Sequence, residues 1–308
     1  MPLRHAVVVT PLAHLQSSPD HRSELKSQRA AGEVLHVLDR RGAWVLAAGF
    51  DGYPGWVRSW SLRFLAAPAA RAWADVAQAC AFGHTVCVRS MPQGPVIAAL
   101  PFGARVRVLG SWARGGGPRA WVPVELAAGM RGVVRAGELG GLACAIGSAG
   151  ARAAAIGSAG ARAAAIARRL SGTTYLWGGT SSWGVDCSGL VQLAYAMSGI
   201  ALPRDAKDQF RVTRPLAAEE EPEVGDLLFF GRDGDVNHVA LVTVPPHFVH
   251  AYGRVEEATF AGGQRNGDGY RPELGRICLG IYRLALAKVR RPFQNRRVWH
   301  RNPDANAG

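Results

Sequence analysis

The run "GEVLHVLDRRGAWVLAAG", residues 32–49, is followed at once by "DGYPGWV", residues 51–57, and this succession of short apolar runs and turn residues leaves little choice of fold. Val34, His36 and Leu38 lie on one face of an extended chain, Leu35 and Val37 on the other, and "RRG" and "DGYPG" carry hairpin-turn chemistry. With "AVVVT" before them and "SWSL" after, these runs predict a small, strongly bent β-barrel over residues 1–66. The plan recurs in "TVCVRS", "ARVRVLGSW", "RAWVPVEL" and "MRGVVRAGEL", where "GVV" stands in the place of "GWV". A second barrel over 67–143 is the economical reading.

An exact tandem repeat follows, "AIGSAGARAA" at 145–154 and again at 155–164, running into "AIARRL". A ten-residue period turns an α-helix by about 1000°, so the two isoleucines fall about 80° apart and no single apolar stripe forms. Each copy also carries two glycines, which cost about 1 kcal/mol apiece inside a helix. The first copy therefore reads as a Gly/Ala-rich linker over 144–160, and the second as the opening helix of a third domain over 161–287.

The net charge of +13 is concentrated: residues 282–301 hold seven Lys and Arg side chains and no acid. That locates a solvated basic tail at 288–308, and with no RNA- or DNA-binding motif beside it no nucleic-acid partner is expected. Arg152 and Arg162 interrupt the alanine-rich middle, so no stretch reaches the roughly 18 apolar residues of a membrane span. The opening residues show neither a long apolar core nor a small-residue cleavage site, which makes a cytoplasmic address the expectation. Five cysteines, an odd number at irregular spacings, fit a disulfide framework poorly. Cys80 and Cys87 flank His84 without a CxxC pair and read as buried thiols, so no metal or cofactor is expected.

Chemistry concentrates in residues 171–260. In "YLWGGTSSWGVDCSGLVQLAYAMSGIALPRD", residues 175–205, a glycine-rich turn gives way to Leu190, Leu193, Ala194 and Met197 at helical spacing. Cys187 thus sits at a helix N-terminus, where orphan N–H groups and the helix dipole can lower a thiol to about 3.5–7.5 from about 8.5. Asp186 and Ser188 beside it have the chemistry of helix caps. A cysteine nucleophile needs a base, and the base an orienting group. "VGDLLFFGRDGDVNHVALVTV" reads as two strands about a turn, with His238, Ala240 and Val242 on one face of the second; "HFVHA" opens another strand carrying His250. Neighbouring antiparallel strands would set His238 and His250 side by side, pointing at the helix that begins at Cys187.

The first two units resemble bacterial SH3-like domains, the first more closely. Together "YLWGGTSSWGVDCSGLVQLAYAMSGIALPRD", "VGDLLFFG", "NHVALV" and "FVHA" resemble the NlpC-type peptidoglycan endopeptidases, cysteine peptidases of papain-like α+β fold. The resemblance implies Cys187 as nucleophile, His238 as base and His250 as the orienting third residue. It implies peptidoglycan-derived peptides as partners and cleavage between γ-linked D-glutamate and a diamino acid, with a free N-terminal L-alanine often required. It also implies a substrate site lined by Tyr175, Asp186, Ser188 and Asp205, with Asp186 as the charge complement of the ammonium, and with Tyr53 and Glu24 of the first barrel closing one side. Three positions depart from the family pattern: Ala206 replaces a common serine, Ala240 a usual glycine, and Pro245–Pro246 the usual glycine-containing turn. Two other readings stand beside this one, a Cys/His amidase that cuts between muramic acid and L-alanine, and an inert wall-binding protein.

Overall fold

The computed structural model describes residues 4–110, 117–141, 149–259 and 272–285. Strands β1 (His5–Val8), β2 (Leu12–Gln16), β3 (Leu25–Ala30), β4 (Val34–Arg41), β5 (Trp44–Ala48), β6 (Pro54–Arg58) and β7 (Leu62–Leu65) form one antiparallel sheet in the order β3-β2-β6-β5-β4-β1-β7. Period-two alternation fills its interior with Ala13, Leu15, Leu35, Val37, Val45 and Val57. Leu38, on the face of β4 opposite the buried Leu35 and Val37, is 50% exposed where the register shifts between Val37 and Asp39. Helix α1 (Ala67–Val76) leads out of this barrel, starting with a proline in its first turn and tying Trp73 Nε1–H to the Gly32 carbonyl at 2.9 Å.

The second barrel comprises β8 (Ala79–Ala81), β9 (Thr85–Arg89), β10 (Val96–Pro101), β11 (Arg105–Val108), β12 (Trp121–Glu125), β13 (Arg131–Arg135) and β14 (Leu139–Gly141). Its order, β10-β9-β13-β12-β11-β8-β14, is that of the first barrel advanced by seven strands. The shared glycine of "GWV" and "GVV" has one cause in both. A Cβ on Gly55 would come within 2.6 Å of Leu15 in β2, and one on Gly132 within 2.5 Å of the Arg89 carbonyl in β9, the equivalent strand.

The remainder comprises α2 (Ala149–Arg169), β15 (Thr180–Ser181), β16 (Gly184–Val185), α3 (Cys187–Met197), α4 (Ala206–Arg211), α5 (Pro272–Gly275) and a six-stranded sheet. The sheet is built of β17 (Thr213–Pro215), β18 (Leu227–Arg232), β19 (Asp235–Val244), β20 (His247–Tyr252), β21 (Arg254–Thr259) and β22 (Cys278–Leu284), in the order β17-β22-β18-β19-β20-β21. Leu190, Val191 and Ala194 of α3, Ala163 and Ile166 of α2 and Leu170 just after it pack on Phe229, Val239, Leu241 and Val249. Leu228, Phe230, Ala240, Val242 and Phe248 form a second core on the other face with Leu274. Burial on both faces explains why "LLFF" in β18 is apolar without alternation.

Helix α2 begins at Ala149, inside the first copy of the repeat and earlier than a linker over 144–160 would allow. Part of its glycine cost is offset by close packing: a Cβ on Gly160 would meet the Val224 carbonyl at 2.7 Å, so only glycine lets the helix cross the entry to β18. Cys144 and residues 288–308, which hold the basic tail, lie outside the described residues. No helix among the described residues is long and apolar enough to cross a membrane.

Both barrels are bonded to the third part. Thr180 N–H and Oγ1–H donate to the Gln28 side-chain and backbone oxygens at 3.1 and 2.9 Å. From the second barrel, Phe102 N–H donates to Ser182 Oγ at 3.0 Å, and Trp183 Nε1–H reaches Thr85 Oγ1 at 2.8 Å.

Candidate active site

Cys187 is the first residue of α3 and Asp186 its N-cap, with Oδ1 accepting from Gly189 N–H at 2.7 Å and Oδ2 from Gly178 N–H at 2.9 Å. The cap thus binds the glycine-rich turn to the helix start. Cys187 is 7% exposed, and its sulfur faces the backbone N–H groups of Val239 and Ser188, which lower its pKa. They do not prevail. Burial, with the Asp186 carboxylate second, pushes the thiol up to about 11, against the lowering that a helix terminus alone would suggest.

His238 and His250 meet, Nε2 of the first lying 3.0 Å from Nδ1 of the second. Alternation sets them on the sheet face away from the body of α3: the His238 ring lies 5.4 Å from Phe230 and the His250 ring 5.4 Å from Phe248, while Val239 and Leu241 face the helix. The expectation that both point at the helix is therefore corrected. The pairing of β19 with β20 runs from Leu241↔Val249 toward the turn and leaves His238 and His250 beyond it. Cys187 is seated against Val239, the neighbour of His238, and no direct thiol–imidazole hydrogen bond appears among the contacts of the described residues. Burial, then the nearby His250, holds His238 down to about 3. Both shifts favour a resting pair of neutral thiol and neutral imidazole. With the shared proton on Nε2 of His238, its Nδ1 is the free acceptor.

The residues expected to line a substrate site divide into two groups. Asp186 and Ser188 are held by Arg204, which is 2% exposed: its Nη1 donates to Asp186 Oδ1 and Ser188 Oγ at 3.0 Å each, and its Nη2 to Asp186 Oδ2 at 2.5 Å. This bidentate pair also gives Asp186 a structural role at the start of α3. Asp205 differs. It precedes α4 without capping it, is half-buried, and accepts from the Tyr53 hydroxyl of the first barrel at 3.2 Å. Glu24 accepts from Trp177 Nε1–H at 2.7 Å, and its charge and that of Asp205 both act on Tyr53, whose pKa is raised chiefly by burial. Lys26 Nζ lies 4.5 Å from the Tyr53 ring centre. Tyr175, raised to about 12 by burial and then by Cys187 and Asp186, lies on the Cys187 side. Trp177, 63% exposed, and the pairing of Arg204 with Asp186 were missed in the sequence. An exposed tryptophan beside a glycine pair was the available signal for the first; the second joins residues with no shared local pattern.

Residues 172–265 match the NlpC/P60 family, and residues 15–62 the bacterial dipeptidyl-peptidase SH3 domain. A γ-D-glutamyl-L-lysine dipeptidyl-peptidase of Bacillus cereus is 39% identical over 84 residues, covering 26% of this chain and 25% of the relative. Dipeptidyl-peptidase 6 of Lysinibacillus sphaericus is 27% identical over 252 residues, covering 80% of this chain and 87% of the relative. Matches to the Bacillus relatives span only 20–28% of those proteins' own length. A solved structure of an NlpC/P60 family protein from Bacillus cereus aligns over 92% of this chain and 99% of its own with a TM-score of 0.69 at 20% identity, a likeness of fold.

Proposed function

We propose, from the premise that residues 172–265 form an NlpC/P60 domain behind a bacterial dipeptidyl-peptidase SH3 domain, that this protein is a cysteine peptidase of peptidoglycan stem peptides. It releases L-Ala-D-Glu by cutting the bond from the γ-carboxyl of D-glutamate to the diamino acid. His238 takes the Cys187 proton, and the thiolate attacks the γ-carbonyl carbon. The oxyanion is held by N–H groups at the start of α3, with Tyr175 in reach of the same space. His238 then gives its proton to the departing amine. Water, deprotonated by His238, hydrolyses the thioester and restores the thiol. His250 holds the His238 ring and its tautomer throughout.

The observation that carries the free-amine preference is the Tyr53–Asp205 hydrogen bond, which sets a half-buried carboxylate at the barrel boundary. Asp205, with Glu24 as the outer carboxylate, receives the ammonium of L-alanine, and Arg204 leaves Asp186 to hold the nucleophile turn. An N-acyl group would remove the charge and leave Asp205 without its partner.

Mass spectrometry of a digest of L-Ala-γ-D-Glu-diaminopimelate tests this reading. Wild-type protein yields L-Ala-D-Glu and diaminopimelate, and Cys187→Ala yields neither. Release of an intact stem peptide from a muramoyl substrate would establish the amidase instead, and absence of any Cys187-dependent product would leave a binding protein.

A further inference from the structure

Gln192 takes no part in the chemistry above, yet both hydrogens of its buried amide nitrogen are used, one of them across the boundary between barrel and third part. From α3, Nε2 donates one hydrogen to Asp51 Oδ2 of the first barrel at 2.9 Å and the other to the Leu202 carbonyl at 3.1 Å. Asp51, with a side chain 0% exposed, also accepts from Arg29 Nη2 at 2.7 and 2.8 Å and from the N–H of Tyr53 at 3.0 Å. Each strand of this web ends at one half of the proposed amine subsite. Asp51 fixes the turn that presents Tyr53, and Leu202 opens the segment that presents Asp205. Both are clipped to the helix that begins with Cys187.

We infer that Gln192 and Asp51 are positioning residues that set the distance between the ammonium subsite and the nucleophile. They act as a ruler selecting peptides whose free amine lies one L-Ala-γ-D-Glu unit from the scissile carbonyl. The inference rests on the proposed peptidase reading. Its physical basis is that an amide donating to a fully buried carboxylate cannot be lost without leaving that carboxylate short of a partner, so the barrel turn moves relative to α3. The chemistry at Cys187 and His238 requires neither contact.

The test compares three substrates on full-length protein: L-Ala-γ-D-Glu-diaminopimelate, its N-acetyl form, and the same peptide extended by one N-terminal glycine. Gln192→Met, of similar length but without hydrogen bonds, should raise KM for the free tripeptide about tenfold while kcat moves much less. The preference over the other two substrates should shrink by the same factor. Asp51→Asn, of the same shape, should do likewise and serves if Gln192→Met fails to fold. Folded variants that keep the wild-type preference, even with lowered melting temperatures, would overturn the ruler alone. A wild-type protein without any preference would overturn it together with the amine reading.

Discussion

Cys187 shows how far a local rule can be outweighed. A helix N-terminus favours a thiolate, but a cysteine 7% exposed beside Asp186 rests as a thiol, pushed up to about 11. Alkylation of Cys187 by iodoacetamide should accordingly keep accelerating from pH 7 through pH 9, since only the thiolate reacts; a plateau reached near pH 6 would mean a preformed ion pair with His238. Arg204 bears on the same turn. Arg204→Met would strand the buried Asp186 carboxylate and should cost about 3–5 kcal/mol in urea unfolding, whereas a surface-like loss under 1 kcal/mol would show the pair to be solvated. The nearness of His238 to His250 was legible because each stands in a patterned segment, as does Cys187, the proposed nucleophile. The pairing of Asp186 with Arg204 was not, because no periodicity links the two residues.

At the scale of elements, what the alternation could reveal was the existence of strands, and what it could not was which sheet face looks at which partner. His238, Ala240 and Val242 do share a face, but it is the face of Phe230 and Phe248 rather than that of α3. Only the third dimension assigns it. The tandem repeat misled for another reason: propensity argues against a helix with three glycines, and the packing of Gly160 on Val224 and of Ala163, Ile166 and Leu170 in the core overrides it. Among the described side chains of α2, the buried ones begin at Ala159, in the second copy. Deleting residues 145–154 should therefore leave the melting temperature within about 2–4 °C of wild type, close to a 1 kcal/mol effect for a chain of this size. A larger loss would mean that the first copy also packs.

For the whole molecule, the first barrel does more than precede the third part, since the proposed amine subsite takes Tyr53 and Glu24 from that barrel and Asp205 from the third part. The composite also sets a pH limit. His5, His14, His36 and His238 are all held below 6.5, each chiefly by burial, with His238 at about 3. The unfolded chain binds these protons first as pH falls, so this part of the stability is complete above 6.5 and is lost progressively toward pH 3. Denaturant midpoints that stay flat across that window would contradict the burial of these rings. The composite subsite itself is tested most directly by the ratio of kcat/KM for L-Ala-γ-D-Glu-diaminopimelate to that for its N-acetyl form, in wild type and in Asp205→Asn. The account requires a wild-type ratio of at least about tenfold, the effect of losing one charge-assisted hydrogen bond, and its collapse toward one in the variant. Equal cleavage of the two peptides by wild-type protein would contradict it.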